Sequence, residues 1–371
     1  MYWDAWIRRV TPFRILCVLA IVAAYGCTYT YTPGRSVVPG TAPAHHLEDG
    51  TFGNSPGSPV RDYSFGTMMS FLWDRMTDGQ AHDPGLEIIM ASAEARQGLN
   101  VASNPSITWL GHASFLIRVD GKTILTDPYL GETAGPIGLG PKRFAPPPLA
   151  AEELPPIDLL VLSHNHYDHL DLVTVGKLAG KDSMTVLVPL GLSGYFTDLG
   201  YANVIEMDWW QSHKHGSLEI QALPAVHFSG RGLFDRNRTL WASFAIRSEH
   251  LKLWFSGDTA AGAVFEEIGR RAGPFDLAMV GIGAYEPREI MKSSHATPEE
   301  AIDIVRAVRA DKAVGMHWGT VKLTPEDPFE AAPRFKAAAK ISGYGEDNAW
   351  IMKIGETREL KTLKTMATAA Q

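Results

Sequence analysis

The chain has 371 residues, 45% of them hydrophobic, 20% charged and 10% aromatic, with a formal net charge of −7. This composition is globular and the chain is long enough to bury a sizeable core, which excludes collagen-like, disordered and disulfide-scaffold proteins. The acidic balance without a block of five like charges argues against a nucleic-acid-binding face or a polybasic membrane patch, and the only two cysteines, Cys17 and Cys27, leave any transition-metal site in the body of the chain to His and carboxylates.

Arg8, Arg9 and Arg14 precede the apolar run Ile15–Ala24, too short for the roughly 20 residues that span a bilayer. The shape is that of a signal peptide over residues 1–27, so export to a bacterial cell envelope or periplasm is expected. The segment Ala24-Tyr25-Gly26-Cys27 is similar to a lipoprotein cleavage box and offers Cys27 as a lipid anchor. A plain signal peptide cut nearby and an uncleaved anchor are the alternatives. Residues 28–66 are rich in Gly, Pro, Ser and Thr and read as a linker and extended arm, with ordered structure expected after it. Residues 67–80 have the spacing of a short amphipathic helix, read as packed on the main domain in preference to facing a membrane. The linker and arm together are taken as residues 28–100, and a single catalytic domain as 101–371.

From Ile107 the chain becomes strand-like. ITWLG, SFLIRV and KTILTD follow one another, the last two joined by Asp120-Gly121 as a hairpin. The Pro-rich stretch 141–156 must be a surface loop. LLVL, MTVLVPL and LWFS then read as buried strands interleaved with helices at 171–180, 261–272 and 298–310, which makes an α/β protein. The last helix carries a capping box, Thr297 with Pro298 and Glu300, and a buried stripe of Ala301, Ile304, Val305 and Val308.

Chemistry concentrates in Ser163-His164-Asn165-His166-Tyr167-Asp168-His169-Leu170-Asp171, directly after the apolar strand that ends at Leu162. On an extended segment His164 and His166 point the same way, while Asp168 and His169 on the following turn face a second point, a spacing that suits two metals. So many ionisable groups at the end of a buried strand would be costly unless a cation organised them. Three further apolar runs end in ligand-type residues, at His227, Asp258 and His317. Because sites in open α/β sheets form where strand carboxyl ends converge, these endings point to one shared site.

The strings HNHYDHLD, Gly257-Asp258 and His317-Trp318-Gly319 resemble the metallo-β-lactamase superfamily of binuclear metal hydrolases. Trp109-Leu110-Gly111-His112-Ala113, Leu125-Thr126-Asp127-Pro128, Pro224-Ala225-Val226-His227, the runs 265–269 and 273–277, and Ile282–Arg288 are similar, more narrowly, to the N-acyl-phosphatidylethanolamine-hydrolysing phospholipase D branch and its bacterial relatives, over roughly residues 105–355. The resemblance implies a four-layer αββα sandwich. It also implies two zinc ions, with iron or manganese as alternatives: His164, His166 and His227 on one, Asp168, His169 and His317 on the other, and Asp258 bridging. The residues expected to act in the reaction are then Asp168, Asp258 and His295, and a water between the two ions becomes hydroxide near neutral pH. His112, Asp127 and His295 are candidates for supporting or substrate contacts, and one of Arg231, Arg236 and Arg238 is expected to hold a phosphate. Tyr285 is expected to line the cleft, with Glu286 bracing it, and His213 and His215 read as solvated in a polar loop.

The implied activity is phospholipase D-type hydrolysis of N-acylphosphatidylethanolamine or a related phospholipid at a membrane surface. A lactonase-like or other ester or amide hydrolase of the same superfamily is the enzymatic alternative. A non-catalytic envelope lipoprotein with a structural metal is a third reading, disfavoured because seven ligands on two ions leave open positions. Nothing in the residues specifies a protein partner.

Overall fold

β-branched and aromatic runs bounded by Gly, Pro and Asp-Gly turns become strands in the computed structural model, which describes residues 43–77 and 88–360. In chain order these are β1 (Ser106–Gly111), β2 (Ser114–Val119), β3 (Lys122–Thr126), β4 (Leu159–Val161), β5 (Thr185–Pro189), β6 (Asn203–Met207), β7 (Ser212–His215), β8 (Leu218–Leu223), β9 (Ser243–Arg247), β10 (Lys252–Phe255), β11 (Phe275–Gly281), β12 (Ala310–Met316), β13 (Ala349–Trp350) and β14 (Thr357–Glu359). They form two sheets of seven, ordered β14-β1-β2-β3-β4-β5-β6 and β13-β12-β11-β10-β9-β8-β7. Each sheet opens with antiparallel hairpins and then turns parallel, at β3–β4 in the first and β10–β11 in the second.

Side-chain alternation explains why the strands are apolar on both faces. Leu159 and Val161 of β4 join the core between the sheets, whereas Leu160 packs outward with Leu116, Leu125, Val186 and Phe196. Helices cover that outer face as α3 (Leu172–Lys177) and α4 (Ser193–Thr197), and the second sheet is covered by α5 (Val264–Arg271), α7 (Pro298–Ala307) and α8 (Ala331–Ile341); α1 (Phe65–Thr77), α2 (Ser92–Val101) and α6 (Arg288–Met291) complete the set among the described residues. The result is the four-layer αββα sandwich. The capping box forms as read: Glu300 N–H donates to Thr297 Oγ1 at 3.2 Å and Thr297 N–H donates to Glu300 Oε2 at 2.9 Å.

Two readings change. The arm is no free linker from residue 43 onward: Phe52 is buried in the main core and its N–H donates to Asn237 O at 2.8 Å. Ordered packing on the domain also resumes before residue 101, since Ile89 bridges Ile354 and Gly98 of α2 lies against Thr357. The helix near 67–80 starts two residues earlier, buries Phe71, and leaves Phe65, Met69 and Trp73 exposed at a four-residue spacing, so it both packs and presents an apolar stripe. The leader 1–27, with Cys27, lies outside the described residues. No helix among the described residues is long and apolar enough to cross a membrane.

Helix α5 crosses α7 at Gly269, where a Cβ would collide with the carbonyl oxygen of Ala307. Gly→Ala in an unobstructed helix stabilises by about 0.5–1 kcal/mol. Here overpacking should reverse the sign, and Gly269→Ala is expected to lower stability by about 1–3 kcal/mol in urea denaturation.

Candidate metal centre

Six strand ends supply the site. His112 follows β1, Asp127 follows β3, the segment from Ser163 to His169 follows β4, His227 lies beyond β8, Asp258 beyond β10 and His317 directly after β12. Three of these residues turn the chain sharply out of its ladder, with φ of 53° at His112, 30° at Asp127 and 64° at His317. Side chains other than glycine rarely adopt that region, and such strain persists where surrounding structure enforces it. Gly257, at φ 54°, has no alternative, because a Cβ there would run into the Ser163 side chain.

The structure brings all seven expected ligand residues into two adjoining groups. His164, His166, His227 and Asp258 form one, and His112, Asp168, His169 and His317 the other, with the donor atoms of each group within 4.8 Å of one another. His112 falls in the second group as well, its Nε2 2.9 Å from Asp168 Oδ2, in reach of a supporting contact to that ligand. Oδ2 of Asp258 sits between the groups: 3.0 Å from His169 Nε2, 3.2 Å from His317 Nε2, 3.7 Å from His227 Nε2 and 3.9 Å from His164 Nε2. His166 turns Nδ1 inward, 2.8 Å from His164 Nε2 and 3.2 Å from His227 Nε2.

This donor set fits divalent cations. His169 Nε2, both ring nitrogens of His317, His112 Nδ1 and Asp258 Oδ1 are buried without hydrogen-bond partners, a cost that proteins avoid unless an ion takes up the lone pairs. Burial pushes His112, His166 and His227 down to about 3 and His164 well below its ordinary value, which keeps these imidazoles neutral, as metal ligation requires. His169 and His317 go the other way. Burial opposes their charge, but the Asp258 and Asp168 carboxylates outweigh it and hold His169 well above its usual range and His317 up at about 9. Against burial, the surrounding imidazoles, His169 foremost, hold both carboxylates well below theirs. Imidazole and carboxylate without thiolate are the donors suited to zinc, iron or manganese.

A supporting layer aims these ligands. Asp127 Oδ2 accepts from His169 Nδ1 at 2.6 Å, and its Oδ1 accepts from Ser163 N–H at 2.7 Å. Ser294 O accepts from His227 Nδ1 at 2.8 Å. The centre opens into a cleft of about 470 Å³ whose lining includes His166, Asp168, Asp258 and His295, an apolar wall of Met68, Phe71, Phe228, Ile290, Met291 and Leu323, and the guanidinium groups of Arg61 and Arg236. His295 reaches the floor, its Nε2 4.0 Å from Asp258 Oδ2, and burial pushes it down to about 3.

Of the three arginines raised as phosphate holders, only Arg236 lines the cleft. Arg231 is spent on structure: its Nη1 donates to Asn165 O and Leu170 O, both at 2.8 Å, and its guanidinium stacks on Tyr167. Tyr285 does not line that cleft; it is buried and donates to Glu330 Oε1 at 2.5 Å, while Glu286 Oε2 braces the Arg288 N–H at 2.9 Å. His213 and His215 stand on the edge strand β7 rather than in a loop, apart from both ligand groups. Arg61 and Asn54, which meet the site from the arm, carry no pattern in the sequence that could have disclosed them.

The Beta-lactamase superfamily domain model matches residues 122–318. A Caenorhabditis elegans protein named N-acyl-phosphatidylethanolamine-hydrolyzing phospholipase D 1 is 42% identical over 242 residues, 62% of this chain and 68% of that one. A mitochondrial N-acyl-phosphatidylethanolamine-hydrolyzing phospholipase D of Saccharomyces cerevisiae is 35% identical over 257 residues, 67% of this chain and 55% of that one. In fold the chain is similar to a metallo hydrolase from the archaeon Ignicoccus hospitalis, with a TM-score of 0.50 at 22% identity over 69% of this chain and 99% of that one. With a family model spanning all seven expected ligand residues, the chain belongs to the β-lactamase superfamily, and it is a metal-dependent hydrolase of metallo-β-lactamase fold.

Proposed function

We propose that this hydrolase is a phospholipase D-type phosphodiesterase, cleaving N-acylphosphatidylethanolamine or a closely related phospholipid to phosphatidic acid and an N-acylethanolamine. The observation that carries the reading is the makeup of the cleft: a metal-ligand floor, an apolar wall and two guanidinium groups within about 470 Å³, complementary to a phosphate flanked by acyl chains. The 42% identity to a relative named for that activity supports it. In this reading His164, His166 and His227 hold one zinc ion and Asp168, His169 and His317 the other, with His112 beside the second group and Asp258 shared by both.

Two such ions, when bound, supply a water nucleophile at neutral pH and neutralise charge growing on the non-bridging phosphoryl oxygens. The chain's own residues do the rest. The oxygen of water bonds to phosphorus as the bond from phosphorus to the ethanolamine oxygen breaks. The proton that the attacking water gives up is the one the departing alkoxide takes, and His295, on the cleft floor, is placed to hand it to that leaving oxygen. Asp127 and Ser294 keep His169 and His227 in one tautomer and one orientation. The exposed Phe65, Met69 and Trp73 on α1, with Leu233 and Phe234 on the loop beside Arg236, support approach to a lipid surface, in keeping with an exported, envelope-located enzyme.

Offered N-acylphosphatidylethanolamine in mixed micelles, a simple lactone and bis(p-nitrophenyl) phosphate, the metal-replete protein is expected to turn over the lipid with the highest kcat/KM; turnover of the lactone alone would overturn the assignment. Chelation should abolish hydrolysis and zinc readdition restore it. Asp258→Asn, which removes the carboxylate shared by both groups, should lower metal content measured by elemental analysis and reduce activity below detection while far-UV circular dichroism stays near wild type. His295→Ala should retain both ions and lose about 10²–10⁴-fold in kcat.

A further inference from the structure

His227 lies four residues past the end of β8, beyond the ladder that would satisfy its main chain. Its amide groups are nonetheless paired, and both partners belong to one side chain. His227 N–H donates to Asn54 Oδ1 at 3.0 Å, and Asn54 Nδ2 donates to His227 O at 2.9 Å. The carboxamide imitates a neighbouring strand. A third contact agrees with that orientation: Trp241 Nε1, which can only donate, is shared between the same Oδ1 and Ala225 O, both at 3.0 Å. His227 therefore has two separate tethers, its ring held by Ser294 O and its backbone by Asn54.

Asn54 is itself held at a distance from the site. Gly53 N–H donates to His45 O at 2.9 Å, and the imidazoles of His45 and His46 donate to the two oxygens of Asp208 at 2.6 and 2.8 Å. The His45 ring stacks on Trp209 at 4.1 Å, and Trp209 Nε1 donates to Trp241 O at 2.6 Å. A continuous path runs from the His45–His46–Asp208 clasp through Trp209 and Trp241 to Asn54 and His227. All of the arm's contribution comes from outside residues 122–318, the part matched by the family model.

We infer that Asn54 is a positioning residue for the His227 imidazole, and that arm residues 45–54 act as a strap which completes the His164–His166–His227 half of the metal centre. The proposal rests on His227 being a ligand, as read above. A positioning role differs from general support in its selectivity. Loosening the His227 main chain weakens the ion of its own group and leaves the Asp168–His169–His317 group as it was.

The test uses the full chain. Stepwise zinc affinities are measured by chelator competition, and the visible spectrum of the Co²⁺-substituted protein reports on coordination, with circular dichroism confirming the fold. Asn54→Ala is expected to weaken one of the two ions about 10–100-fold and leave the other unchanged, the range seen when supporting partners of metal ligands are removed. Asn54→Asp keeps the acceptor for His227 N–H and Trp241 but sets a carboxylate oxygen against His227 O, so it should weaken the same ion and leave the other; it also serves if the alanine variant does not fold. His45→Ala/His46→Ala should weaken the same ion by a smaller factor. Equal weakening of both ions, or no change in either, would overturn the proposal. A wild-type chain that takes up no second ion would instead overturn the ligand assignment beneath it.

Discussion

Asp168 and Asp258 are carboxylates buried at the meeting point of two sheets, and their need for positive charge organises the imidazoles and strand ends around them. Unpaired charges in that position would each cost several kcal/mol. The chain answers with a shell of imidazoles, most of them held low by burial and two, His169 and His317, held high by the carboxylates themselves. Bound metal would meet the same demand and take up the lone pairs left without partners.

The sandwich is built to deliver that shell. Each sheet turns from antiparallel to parallel pairing, and the parallel strands release their carboxyl ends on the same side. The ligands therefore leave rigid, doubly packed elements, and the backbone strain at His112, Asp127 and His317 is borne by ladders on either side. Close packing beneath the site leaves no slack: a side chain at Gly257 would strike Ser163, and one at Gly283 would strike the carbonyl of His317. The supporting bonds from Asp127, Ser294 and Asn54 act on the same ligands from outside the donor groups.

Much of this was legible in the residues. Alternating apolar runs marked the strands, the Thr297 box marked α7, and the crowding of three imidazoles and a carboxylate after Leu162 marked a cation site, because each depends on neighbours a few positions away. The readings that changed concern contacts between distant parts of the chain. Arg231 looked like an anion holder until two backbone carbonyls were seen to occupy it, and Tyr285 looked like a cleft residue until it was found bonded to Glu330. The arm looked like a linker because Gly, Pro and Ser dominate it, although Phe52 and Asn54 are enough to seat it.

The α/β class, the chemistry of the ligands and the chain order of strands ending in them follow from the residues alone, since periodicity, capping and donor type are local properties. It took the folded chain to show that His112 meets Asp168, that backbone carbonyls occupy Arg231, and that an asparagine 173 residues away holds the backbone of His227. The physical reason is that a donor's role depends on which lone pair faces the cluster and what satisfies its other polar atoms, and those are set by contacts across the fold.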